Sequence, residues 1–425
     1  MSKNKIIAGI ELGSSKIATL VAQIQNEPST DDVTINVVGV SSVESRGIKK
    51  GQIVDIEEAV DATVQSIEAA ERMAGYNLTS GYIALGGAHI TSQNSHGVVA
   101  VSDPNGEIVE GDVDRVVEAA SAVSLPSSRE PIHILPREFV VDGEADVKDP
   151  VGMSGIRLEV ETHLITASSA AVKNLKKAVN EVGVEVVDLV YSGLASAEAV
   201  LTKTEKELGC VLIDIGGGTT SILAYVDGAP SYSGVIPVGA KNVTSDLAIG
   251  LRVSLESAEK IKLALSEYQK KNKKTKVTHE DDQVDLSSLG IAESKKVSRK
   301  TLTEGIIRPR INEIFTMVRL HLDKEGIAAR IPSGAILTGG GAETVGIVDS
   351  AKRMLSLPVR VGKPKGVSGL IDDVITPAFA TPVGLLLYGA TGPEVNTQRS
   401  IVGKIKFPSR GIAGKLIESI RNLLP

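Results

Sequence analysis

An α/β fold of two related lobes is what this sequence predicts, on three observations. Strand-like β-branched runs alternate with helix-period segments along most of the chain, as expected where helices pack on sheets. An acid-and-glycine pattern near the N-terminus, I-E-L-G-S-S-K-I over 10–17, returns half a chain later as I-D-I-G-G-G-T-T over 213–220. Solenoid repeats recur at short periods, so a single echo at this distance points to two related domains. The length, 425 residues, also exceeds what one hydrophobic core comfortably organises.

The first lobe opens with three strand-like runs, "IAGIEL", "IATLVAQI" and "INVVGVSSV". A helix is expected across 55–75, with Asp55 as N-cap, Glu58 three residues on and Gly75 as its stop. A second cycle starts with "GVEVVDLVYSGLASAEAVL" over 183–201 and continues with "CVLIDIGGGTTSILAYVDG" over 210–228. The charged stretch 270–283 has no pattern and reads as a solvated loop, and 391–410 reads as a linker rich in Gly, Pro, Ser, Thr and Asn.

Composition narrows the function classes. An apolar fraction of 42% with 23% charged residues is ordinary for a soluble globular chain, and a net charge of −6 gives no support for nucleic-acid binding. Cys210 is the lone cysteine, which excludes a disulfide framework and suits a reduced intracellular setting. The N-terminal run "IIAGI" is too short for a signal peptide and is followed at once by Glu11 and Lys16. Nowhere do about 18 apolar residues stand together, so no membrane-spanning helix is expected.

The repeated pattern carries the chemistry. A strand that enters a tight glycine turn and leaves as another strand is a hairpin, and two such hairpins face to face would make a clamp for a polyphosphate. Gly13, Gly216, Gly217 and Gly218 let backbone amides approach phosphate oxygens, while Ser14, Ser15 and Thr219 add hydroxyls and Lys16 a positive charge. Glu11 and Asp214, at the strand ends, suit Mg²⁺ held through its waters, since that ion dehydrates reluctantly. Either hairpin alone also fits an ordinary glycine-rich turn; it is the repetition that favours phosphate.

Two further segments suit the other end of a nucleotide. "AILTGGGAETVG" over 335–346 reads as a strand, a glycine turn and a helix, and Gly339, Gly340 and Gly341 would let backbone lie against a ribose and α-phosphate. On the helix expected over 254–269, Glu259 and Lys262 share a face. They make either an ordinary surface pair or a contact to the adenosine.

The last segment, "GIAGKLIESIRNLLP", separates cleanly into two faces when wound as a helix. Ile412, Leu416, Ile417, Ile420, Leu423 and Leu424 lie on the apolar side, and Lys415 and Arg421 flank the polar arc where their stems can snorkel. A C-terminal helix more often docks on its own core. Here a linker of about twenty residues sets it apart, which favours a membrane surface.

With these residues assembled, the chain resembles the FtsA family of bacterial cell-division proteins, within the actin and heat-shock ATPase superfamily. The two phosphate motifs correspond to 7–21 and 211–225 and the adenosine motif to 335–346. More specific to the family are "SRGIKKGQIVDIE" (45–57), "HILPREFVVDG" (133–143), "DPVGMSGIRLEVETHLIT" (149–166) and "VIPVGAKNVTSDLA" (235–248), which carry no phosphate chemistry. The resemblance implies an actin-like two-lobed ATPase fold with ATP and Mg²⁺ in the cleft, an inserted FtsA-type subdomain 1C and a C-terminal amphipathic helix. Its implied divisions are subdomain 1A over 1–81, 165–191 and 358–390; 1C over 82–164; 2A over 192–240 and 301–357; and 2B over 241–300. A linker over 391–407 and the membrane-targeting helix over 408–425 complete the chain.

The same resemblance implies partners. Subdomain 2B would receive the C-terminal tail of FtsZ, 1C would mediate self-assembly into filaments, and the final helix would hold FtsZ filaments to the cytoplasmic face of the membrane at the division site. Glu259 and Lys262 match the helix by which the family holds adenosine. Where the wider superfamily often places a carboxylate for the attacking water, "VYSGLASAEAVL" offers Ser192 and Gly193. Loss of a general base costs roughly 10²–10⁴ in rate, so ATP is expected to act chiefly as a conformational ligand with slow turnover. The Lys-rich segment 270–276 matches no family pattern. The competing readings are a type IV pilus inner-membrane scaffold, which normally lacks the final helix, and a small-molecule kinase, which would have no use for it.

Overall fold

The protein is described from a computed structural model covering residues 5–26, 33–271, 282–291 and 296–391. The expected amphipathic helix, with Ile412, Leu416, Ile417, Ile420, Leu423, Leu424, Lys415 and Arg421, lies outside these residues, as does most of the Lys-rich segment. Among the described residues, no helix is long and apolar enough to cross a membrane.

Lobe I is built on a six-stranded sheet in the order Glu185–Tyr191, Ser80–Leu85, Lys5–Leu12, Lys16–Asn26, Val33–Glu44 and Ser368–Gly369. Its first two strands pair antiparallel with Leu12 opposite Ile17, leaving a short turn between them. The helix Ile56–Ala74 covers the sheet through small residues, Ala59, Ala62, Thr63, Ser66 and Ala70, with Ile67. It starts and stops where the sequence says. Asp55 Oδ1 accepts from the Glu58 amide at 3.1 Å, and Gly75 closes the helix at φ 72°.

Lobe II and the inserted domain share one nine-stranded sheet. The lobe II part runs Val359–Val361, Ala335–Thr338, Cys210–Ile215, Thr220–Val226 and Ala229–Ile236. The insert continues it with Thr91–Ala100, Arg157–Ser168, Arg129–Val141 and Glu144–Val147. The insert has its own small core, where Val116, Val117 and Ala120 of the helix Glu110–Ser121 meet Leu158, Val160 and Leu164.

Strand Cys210–Ile215 is buried along its whole length and apolar but for Asp214, because both of its faces are covered. Val211, Ile213 and Ile215 join the lobe II core, whereas Cys210 and Leu212 look towards two helices between the lobes, Ser192–Val200 and Ala380–Thr391. These helices cross so closely that a side chain at Gly384 would collide with the carbonyl of Ala195. Strand alternation therefore decides where the acids go. Asp214 has the parity of Cys210 and Leu212 and faces the crossing helices. Glu11 has the parity of Gly9, which packs against Leu385 of Ala380–Thr391.

Candidate functional site

Both glycine turns close with the same backbone bond: Gly13 N donates to Lys16 O at 3.0 Å, and Gly216 N donates to Thr219 O at 2.8 Å. The echo in the sequence is thus an echo in geometry. The turns meet across the gap between the lobes. A side chain built at Gly217 would collide with Ser15 Oγ, and one at Gly218 would come within 2.9 Å of Ser14 Cβ. Lys241, at the start of the helix Ala240–Leu251, spans the gap with Nζ 2.8 Å from Ser14 O. Beneath the turns lies a cleft of about 430 Å³, counting space open to solvent, lined among others by Glu11, Ser14, Ser192, Asp214, Thr219 and Thr381.

The two acids sit in this cleft in different states. Glu11 Oε2 is shut off from solvent with no hydrogen-bond partner, and burial raises its carboxyl to about 7, with Asp214 adding repulsion and Lys16 opposing both. Lys16 Nζ is likewise enclosed and without a hydrogen-bond partner, 3.6 Å from the centre of the Phe379 ring, and burial lowers its pKa. Asp214 Oδ2 accepts from Ser196 Oγ at 2.5 Å and Thr381 Oγ1 at 3.1 Å, one hydroxyl from each crossing helix. Burial raises the Asp214 pKa, and these two hydroxyls oppose the rise.

The third glycine segment folds as strand Ala335–Thr338, a 3₁₀ turn Gly340–Glu343 and a helix Ile347–Leu355. Gly339, at φ 81°, lies against Asp214 and Ile215, and a side chain at Gly341 would strike Ile215; Gly340 packs loosely by comparison. The helix Leu255–Lys271 docks beside this turn. Val345 N donates to Ser266 Oγ at 3.2 Å, Gly346 N to Gln269 Oε1 at 3.1 Å, and Lys270 pairs with Glu343 at 2.7 Å.

Glu259 and Lys262 are not a free surface pair. Lys262 is buried, with Nζ 2.8 Å from Glu259 Oε2 and 3.0 Å from Thr244 Oγ1, while Thr244 Oγ1 also donates to Glu259 at 2.5 Å. Thr244 belongs to the helix whose first amides, Ala240 and Lys241, donate to the carbonyls of Gly216 and Gly217. A continuous run of bonds therefore joins the second glycine turn, this helix and the Glu259–Lys262 pair, whose own helix docks beside the third turn.

Sequence reasoning missed Ser196, Thr381 and Lys241. Each is an ordinary helix residue in its own segment, and only the packing of distant elements brings it to the turns. Among the described residues there is no group of three or more His, Cys, Asp or Glu side chains able to hold a metal by protein ligands alone.

Comparison with known proteins agrees with this architecture. Residues 87–166 match the SHS2 domain inserted in FtsA, and residues 211–384 match the cell division protein FtsA family. The cell division protein FtsA of Pseudomonas aeruginosa is 38% identical, over 95% of this chain and 94% of that protein. That of Borreliella burgdorferi is 38% identical over 98% of both. Among solved structures, a PilM-PilN type IV pilus biogenesis complex aligns with a TM-score of 0.61 at 18% identity, covering 91% of this chain and 99% of that one. ADP-bound MreB5 of Spiroplasma citri aligns with a TM-score of 0.51 at 15% identity, covering 94% and 98%. At such identities these two likenesses speak for the fold alone. The facing hairpins, the inserted domain and the end-to-end identity converge on one conclusion: the chain belongs to the FtsA family of cell-division proteins and has its actin-like fold.

Proposed function

We propose that this cell-division protein binds ATP with Mg²⁺ between its two glycine turns and tethers FtsZ filaments to the cytoplasmic face of the membrane at the division site. The observation that carries the reading is the pair of matching turns facing each other over a cleft lined by Glu11, whose Oε2 has no hydrogen-bond partner. Gly13, Ser14, Ser15 and Lys16 on one side and Gly216, Gly217, Gly218 and Thr219 on the other would hold the phosphates. Glu11 and Asp214 would orient the waters of Mg²⁺, whose charge would offset their burial. Gly339, Gly340 and Gly341 with Glu259 and Lys262 would line the adenosine.

Among the residues lining the cleft the carboxylates are Glu11 and Asp214, both given to the metal in this reading. Ser192 occupies the wall where a base would stand. Turnover is accordingly slow and the nucleotide serves to set the relation of the lobes. The FtsZ tail would bind within 241–300, self-assembly would use the insert, and the helix over 408–425 would lie in the membrane interface.

Titration calorimetry with ATP, with and without Mg²⁺, tests the site. Binding that Mg²⁺ strengthens in the wild type and no longer strengthens in Asp214→Ala is the expected result, and an unchanged metal dependence removes Asp214 from its role. Sedimentation with anionic liposomes tests the tether. Removal of 408–425 abolishes it, and Leu416→Glu nearly so, because a charge opposes about 25 cal/mol per Å² of apolar burial. Equal sedimentation with and without the tail rejects the membrane reading.

A further inference from the structure

The inserted domain is rooted in one lobe and fastened to the other, and the two attachments differ in kind. At the root, Ile132, Ile165 and Ala167 are buried in the lobe I core. Arg129 ties the entering and leaving segments together, with Nη2 2.9 Å from both His89 O and Thr166 O. His133 Nε2 accepts from the Tyr191 amide at 2.9 Å, fixing the insert to the last residue of a lobe I strand.

The attachment to lobe II is a polar seam. Its backbone register is a single pair, Gly234 with Thr91. Side chains supply the rest in a directed chain. Ser233 Oγ donates to His163 Nε2 at 2.8 Å, His163 Nδ1 donates to Asn94 Oδ1 at 2.6 Å, and Asn94 Nδ2 donates to Ser231 O at 3.2 Å. Ser92 Oγ donates to Ser233 O at 2.8 Å and accepts from Ser233 N at 2.9 Å, and Arg137 reaches Ser231 Oγ at 3.0 Å. The chain through His163 is satisfied end to end and holds one arrangement, whereas Arg137 Nε is enclosed without a partner at the outer end of the seam, where the bonds part most readily.

Tyr191 stands at the inner end of the seam. Its hydroxyl is shared between the carbonyls of Gly234 at 2.8 Å and Ile222 at 2.9 Å, both in lobe II, while its amide holds the insert. Lobe I, lobe II and the insert therefore meet at one fully buried side chain.

We propose that this seam is a latch coupled to the nucleotide cleft, which rests on the ATP reading above. The glycine turns now touch at Ser15 and Gly217, so a triphosphate enters only if the lobes part there. The insert travels with lobe I, in whose core it is rooted. Parting the lobes therefore pivots at Tyr191 and Gly234 and shears the outer bonds of Asn94, Arg137 and Ser231. By linkage, whatever opens the latch favours nucleotide, and nucleotide frees the insert to meet a partner.

The test uses the full-length protein, Mg-ATP and three forms: wild type, Ser233→Ala in the seam and Ser231→Ala, which removes the outer bond from Arg137 and spares the buried chain through His163 should the first variant fold poorly. Mg-ATP affinity rises about fivefold or more in the latch variants. In the wild type the Ser233 amide, which donates to Ser92 Oγ, exchanges faster when Mg-ATP is added. Equal affinities across the three forms, or slower exchange with nucleotide, overturn the latch and leave the ATP site standing. A wild type that binds no Mg-ATP overturns both.

Discussion

The two glycine hairpins have the same backbone and different electrostatics. In each, an acid is the next-to-last residue of a strand, a glycine stands two places after it, and a bond from that glycine to the residue three places on closes the turn. Yet Asp214 is held by Ser196 and Thr381, one from each helix at the lobe crossing, whereas Glu11 has an enclosed oxygen with no partner. The shared frame places backbone amides at a common point. The difference separates the two acids: Asp214 is wired to the helices between the lobes, and Glu11 keeps an enclosed acceptor that the waters of the proposed Mg²⁺ would fill.

The comparison breaks most readily at the contact between the turns. Gly217→Val should cost on the order of 3 kcal/mol by forcing the turns apart. Gly217→Ala should cost less and be rescued by Ser15→Gly, because the atom it meets is Ser15 Oγ. Thermal unfolding of the single and double variants reads the coupling, and strictly additive effects would mean the turns do not touch.

Removing the acids separates their roles. Asp214→Ala leaves Ser196 and Thr381, 2.8 Å apart, to bond each other, so one of the two buried hydroxyls loses its acceptor, a loss of about 2 kcal/mol seen as a lower Tm. Glu11→Gln removes a buried charge whose desolvation outweighs the attraction of Lys16 and should raise the Tm of the nucleotide-free protein at pH 8. A fall in both would show that Glu11 has a partner after all.

The pH dependence follows with its sign fixed. Glu11 titrates near 7 when folded against 4.5 for an ordinary glutamate, so between those values the folded protein holds more protons than the unfolded one. Stability therefore falls as pH rises through this window, by on the order of 3 kcal/mol in full. Melting curves from pH 5 to pH 8 should show the decline in wild type and a flatter line in Glu11→Gln. The smallest effect belongs to Ser196→Ala, about 1 kcal/mol for one of the two hydroxyls on Asp214. It should weaken the metal dependence of ATP binding less than Asp214→Ala does.

Much of this site could be read in the sequence because glycine and acid positions dictate local backbone. The hairpins at 13–16 and 216–219, the caps of the helix Ile56–Ala74 and the turn at 339–341 all announce themselves by residue type. What stayed hidden was made by parity and packing. Ser196 and Thr381 carry no local pattern, and they reach Asp214 only because residues 210, 212 and 214 share a face that looks at the crossing helices. The seam of His163, Asn94 and Ser233 was equally silent. The insert leaves lobe I in the chain and joins the sheet of lobe II, a pairing with no trace in periodicity.

A crystal structure of the full-length protein with Mg²⁺ and a non-hydrolysable ATP analogue tests the central claim most directly. The account predicts the triphosphate between residues 13–16 and 216–219, the ion's waters on Glu11 and Asp214, and Ser15 separated from Gly217. Turns still in contact, with the nucleotide bound elsewhere or not at all, would contradict it.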